Sequence, residues 1–160
     1  MSGAEAIGFA AAALQFADVG WRAALALSRL FSDLQYVPTK MKNAKRELEL
    51  LLTFVEMLKS DLGLTTSGST SILNGFITST QRASALSLFD ECIDQAQELE
   101  RILTQLAPNT HKGLKRAWRA VVSVKTEHEI ISRCVRLEGL KMSLNLWYGH
   151  MNLLLLKTQM

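Results

Sequence analysis

Hydrophobic residues along this chain keep a helical rhythm almost from end to end. The clearest run is Met41, Ala44, Leu48, Leu51, Val55, Leu58 and Leu62, which alternates spacings of three and four without a miss. Such a run predicts a bundle helix from Pro38 to about Leu62, packing on its neighbours at a shallow angle. A second stripe, Ala85, Phe89, Cys92, Ala96, Leu99, Leu103 and Leu106, predicts a helix that starts near Thr78 and ends before Pro108. A third, Ile130, Cys134, Leu137, Leu144, Tyr148, Met151 and Leu155, predicts a long last helix. Lys141 falls on that stripe, so its ammonium has to snorkel or meet an acid. No stretch alternates apolar and polar residues between hairpin turns.

Punctuation agrees with the rhythm. Pro38 suits the first turn of a helix, and Gly63 is a C-terminal stop. Thr78 with Gln81, and Thr126 with Glu129, have the spacing of capping boxes. Residues 63–77 are rich in Gly, Ser and Thr and read as the longest loop, with Ile72, Phe76 and Ile77 tucked against the bundle. Lys112 to about Val122 reads as a short basic helix carrying Trp118. The expected fold is all-α: an antiparallel bundle of four long helices plus one short helix, in a single domain over 1–160.

The first helix, about Gly3 to about Leu34, is the odd one. Ser2 and Glu5 make another capping box. Between Glu5 and Asp18 lie twelve uncharged residues, ten of them apolar. Ile7 and Leu14 share one helical face while Phe9 and Phe16 share its neighbour, so the apolar arc is wider than a surface helix needs. Ile7, Leu14, Trp21 and Ser28 recur at seven, with Ala11, Asp18 and Leu25 between them, and Gly20 marks either close packing or a hinge.

Such an arc is either buried or meets lipid. A signal peptide is not expected here, because the stretch opens on an acid, no Lys or Arg precedes Arg22, and the apolar run is short. A permanent span is excluded, since twelve helical residues cover only ~18 Å of a ~30 Å hydrocarbon layer. Conditional insertion helped by self-association is left. Gly8 with Ala12, and Ala13 with Ala17, have the small-residue spacing that lets helices approach closely in lipid. Ile7, Phe9, Leu14 and Phe16 supply the bulk of this arc and are the candidate membrane-contacting residues only if lipid rather than the core receives it.

Composition narrows the rest. With 160 residues and 48% of them apolar, the chain can bury a real core. A net charge of +3 is too mild to point to nucleic acid. Cys92 and Cys134 sit within apolar helical patterns, as reduced core cysteines of an intracellular protein do. From Lys112 to Lys141 there are eight basic residues against three acidic, a local net of +5. Lys112, Lys115, Arg116 and Arg119 share one helical face and are the candidate anionic-lipid contacts. A solvated face balanced against the acidic third helix (Asp90, Glu91, Asp94, Glu98) is the simpler alternative.

Catalytic and metal chemistry finds no footing. The residues three before His111, His128 and His150 are Pro108, Lys125 and Trp147, so the Glu-x-x-His pairs of di-metal bundles are absent. Asp90, Asp94 and Glu98 form an acidic stripe with no histidine beside it. Phosphate-binding glycine loops, zinc spacings and nucleophile motifs are missing. Neither an enzyme, a cofactor nor a metal is expected.

The opening Ala4-Glu5-Ala6-Ile7-Gly8-Phe9-Ala10-Ala11-Ala12-Ala13-Leu14-Gln15-Phe16-Ala17-Asp18 resembles the start of fungal HeLo-like domains. Trp118-Arg-Ala-Val-Val-Ser-Val-Lys-Thr-Glu-His-Glu-Ile130, followed by Arg136-Leu-Glu-Gly-Leu-Lys-Met-Ser-Leu144, is similar as well. These domains are N-terminal modules of fungal NOD-like (STAND) receptors and precede NACHT or NB-ARC nucleotide-binding regions. The resemblance implies a bundle related to HeLo domains and to the four-helix executioner domain of necroptosis. It further implies a cytoplasmic cell-death effector of fungal immunity and heterokaryon incompatibility. On oligomerisation its N-terminal helix would be recruited to the plasma membrane and permeabilise it. Carried onto this chain, Ile7 to Phe16 is the membrane-attacking segment, membrane lipids and further copies are partners, and a receptor's nucleotide-binding region is expected beyond Met160. The Ala-rich, weakly hydrophobic character of the segment favours an oligomeric arrangement. The alternative is a non-lytic homotypic or partner-recruiting signalling module.

Overall fold

A computed structural model describes residues 3–33, 37–61, 78–106 and 124–160, and for Ile7, Phe9 and a few others only the backbone. Four helices account for nearly all of them: α1 (Gly3–Asp33), α2 (Thr39–Asp61), α3 (Ser79–Leu106) and α4 (Val124–Gln159). Among the described residues there is no strand. The expected loop at 63–77 and the short basic helix at Lys112–Val122 lie outside them, as does the Ser2 cap.

The helix starts follow from local chemistry. At α3 the Gln81 amide donates to Thr78 Oγ1 (3.2 Å) while the Thr78 amide donates to Gln81 Oε1 (2.9 Å), a closed capping box. At α2 the Pro38 carbonyl accepts from the amides of Met41 and Lys42 at 3.0 and 3.1 Å. The last helix departs from expectation. Val124 and Lys125 are already helical, so Thr126 lies within the helix rather than before it.

Pairs of touching residues fix the topology. Phe16 and Arg22 of α1 meet Phe89 and Glu100 of α3 in the same order, so these two helices run parallel. Arg136 and Trp147 of α4 meet Glu91 and Gln81 of α3 in reverse order, which makes that pair antiparallel. Lys141 and Tyr148 meet Glu47 and Phe54 in the same order, so α4 runs parallel to α2. Around the bundle the order is α1, α2, α4, α3, with α1 most extensively packed on α3. Although consecutive in the chain, α2 and α3 are therefore a diagonal pair. The other diagonal is α1 and α4.

The core runs the length of this square. Met41, Ala44, Leu48, Leu51, Val55 and Leu58 of α2 and Ala85, Phe89, Cys92, Ala96 and Leu99 of α3 are buried as their stripes predict, and Leu52 of α2 joins them from outside its stripe. On α1 the buried phase is Ala13, Phe16, Gly20, Ala23, Leu27 and Leu30, again alternating three and four. Its small members bring the helices close together: a Cβ on Gly20 would sit 2.3 Å from Leu52 Cδ2. Of the two readings of Gly20, the structure supports close packing.

Lys141 resolves as its position demands. Its ammonium donates to Glu47 Oε2 at 2.6 Å across the α2–α4 seam, with the lysine stem largely covered.

Candidate functional site

Two helix faces turned away from the core carry the features that a function needs. The first is the outer side of α1. Leu14, Trp21 and Leu25 are 43, 43 and 52% exposed and follow one another along it, with Asp18 and Arg22 beside them. Within the seven-residue recurrence read from the sequence, Leu14 and Trp21 thus lie outward, whereas Ser28 is half-buried. Leu14, Trp21 and Leu25 on that phase, with Phe16, Leu27 and several alanines on the inner one, give α1 apolar character on two sides.

The candidate membrane residues accordingly separate. Phe16 is fully buried, its ring 6.4 Å from that of Phe89 and tilted by 44°. Leu14 faces outward. Ile7 and Phe9 belong to the helical backbone of α1, and their side chains lie outside the described residues. So do Lys112, Lys115, Arg116 and Arg119 entirely.

Ionic ties hold the outer side of α1 only lightly. Arg22 bridges Asp18 Oδ2 on its own helix at 3.5 Å and Glu100 Oε1 of α3 at 3.6 Å, both with much of their side chains in water. Exposed pairs of this kind contribute ~0–1 kcal/mol, so they do little to fasten α1. What seats the helix is the apolar phase around Phe16 and Leu27.

The second face is the outer side of α4. Val135, Met142, Leu146, Leu153 and Leu156 are all more than half exposed, and Leu146 reaches 76%. Sequence reading passed over this set, because the inner stripe of the same helix already accounted for its amphipathicity. The signal was present: from Met142 to Leu156 there is no Asp, Glu, Lys or Arg.

The acidic stripe on α3 disperses into ordinary pairs. The Arg101 guanidinium donates to Glu98 and holds that carboxyl below its usual range, while Asp90 and Asp94 face solvent. Glu91 takes Arg136 of α4. Among the described residues no three His, Cys, Asp or Glu side chains gather where they could hold a metal ion. Cys92 and Cys134 are free and buried, and desolvation is the main force pushing both thiols up to about 12. Such thiols are inert rather than nucleophilic.

Among the described residues no helix is long and apolar enough to cross a membrane. Comparison with protein-family models, curated proteins and solved structures finds no match.

Proposed function

We propose that this chain is a latent membrane-active effector domain whose first helix is stored in the bundle and used on the plasma membrane. The observation that carries the reading is the double apolar character of α1: Phe16 and Leu27 in the core, Leu14, Trp21 and Leu25 outside. A helix of this kind can give its own apolar surface to lipid when it leaves its seat on α3. The resemblance to fungal HeLo-like domains supports the same reading, and with it a cytoplasmic cell-death role under a receptor's nucleotide-binding region. Since no described helix is long and apolar enough to cross a membrane, permeabilisation in this reading takes several copies.

A second reading, a non-lytic homotypic signalling module, is favoured by the exposed stripe of α4. Dye leakage from vesicles of phosphatidylcholine and phosphatidylserine separates the two. The protein should release dye when tethered densely to the vesicles, and Leu14→Glu with Trp21→Glu should reduce release at least tenfold. Both positions are exposed, so the helical circular dichroism should stay as in the wild type. Equal leakage by the variant, or none by the wild type, would count against the membrane reading.

A further inference from the structure

The outer stripe of α4 continues at alternating spacings of four and three: Val135, Gly139, Met142, Leu146, Gly149, Leu153 and Leu156. Every large member is more than half exposed, and neither glycine has an atom within 4 Å of where a Cβ would sit. The inner stripe of α4 is centred on the opposite side of the helix, against α2 and α3. A single helix thus carries two apolar seams. One is filled by its own bundle.

We infer that the outer seam of α4 is an isologous interface that takes α4 of a second copy of this chain, antiparallel, with the two-fold axis at Leu146. The register follows from the residues. With Leu146 against its own symmetry mate, Gly139 of one copy is level with Leu153 of the other, and Val135 and Met142 fall within one residue of level with Leu156 and Gly149. Each glycine then faces a bulky residue, so that knobs enter open ground and the pattern is complementary to itself. A two-fold contact needs that property. The seam also keeps coiled-coil spacing over three heptads, long enough for a paired helix.

Charge argues against a lipid surface as the occupant. A helix lying on anionic lipid carries Lys or Arg along its polar side. Here the residues flanking the middle of the seam are Ser143, Asn145, His150 and Asn152. That rim suits a protein contact, where an apolar centre is bordered by uncharged polar groups.

The inference deepens the self-association in the proposed function, and its test uses no lipid. Light scattering on the purified chain should show the mass moving from 17.8 kDa toward twice that value as concentration rises. Leu146→Glu should restore the monomer with unchanged helicity, since Leu146 lies outside the core. Under mild oxidation Leu146→Cys should cross-link to itself, and Val135→Cys should cross-link to Leu156→Cys but not to itself. Cys92 and Cys134 are buried and stay out of these reactions. A monomer up to the solubility limit, or a dimer indifferent to Leu146→Glu, would overturn the interface. Self-pairing of Val135→Cys would overturn the antiparallel register. A chain that stays monomeric in solution yet permeabilises densely tethered vesicles would sink this inference and leave the role of α1 standing, with copies gathering through that helix on the membrane.

Discussion

The Phe16 ring stands 6.4 Å from that of Phe89, and both side chains are fully buried. This contact seats the first helix on the third, in the segment that resemblance marks as membrane-attacking. Truncation at Phe16 removes a ring from a packed site, a change that costs ~3–5 kcal/mol. At ~2–4 °C per kcal/mol for a chain of this size, Phe16→Ala should lower Tm by roughly 6–20 °C in a thermal melt. An unchanged Tm would mean that α1 is not held there.

Gly20 tests the close approach of α1 and α2. Alanine is favoured over glycine in a helix interior by ~1 kcal/mol, and overpacking a core costs ~1–3 kcal/mol. Because Leu52 is fully buried, its Cδ2 has little room to leave the 2.3 Å overlap. Gly20→Ala should therefore destabilise by about 1 kcal/mol net. Combining it with Leu52→Ala should give less than the sum of the two effects, a coupling that chemical denaturation can measure.

Much of this arrangement is legible in the sequence, and the part that is not has a physical cause. On α2 and α3 the core residues are large and their neighbours charged, so Leu48, Leu51, Phe89 and Leu99 announce the buried side. On α1 the buried side is mostly alanine, and the bulky Leu14, Trp21 and Leu25 lie opposite. Size then points outward, and periodicity alone cannot choose the phase. On α4 both sides are apolar. Gly139 and Gly149 break the outer run to the eye while leaving its spacing intact. Of the candidate site, Phe16 and Leu14 lie on opposite sides rather than on the neighbouring faces expected, because two residues turn an α-helix by about 200°.

The Lys141–Glu47 pair is half-covered, with side chains 18 and 31% exposed. Lys141→Met leaves the carboxylate without its partner near an apolar seam, and Glu47→Gln weakens the pair from the other side. A double-mutant cycle should return a coupling of about 1 kcal/mol, above that of exposed pairs. Zero coupling would mean that the lysine is held by its stem alone.

Burial pushes both thiols up to about 12 in the folded chain, with the Glu91 carboxylate adding to the effect at Cys92. An unfolded thiol ionises near ~8.5, so the folded state keeps its protons longer. The resulting stability is complete below the unfolded value and declines as pH rises toward 12. The decline is up to ~1.4 kcal/mol per pH unit for each thiol. Cys92→Ala with Cys134→Ala should flatten this alkaline loss in urea titrations. In the native protein at neutral pH, a thiol reagent should label neither cysteine at an appreciable rate. Prompt labelling would contradict their burial.

Release of α1 is the central claim, and a reversible tether across the α1–α3 seam tests it most directly. Arg22 and Glu100 meet there with their side chains partly in water. Replacing both by cysteine and joining them with a cleavable bis-maleimide fixes α1 in its seat. The tethered protein should bind vesicles without releasing dye, and cleavage of the linker should restore leakage to the level of the uncross-linked variant. Full leakage with the tether intact would show that the first helix never has to leave the bundle.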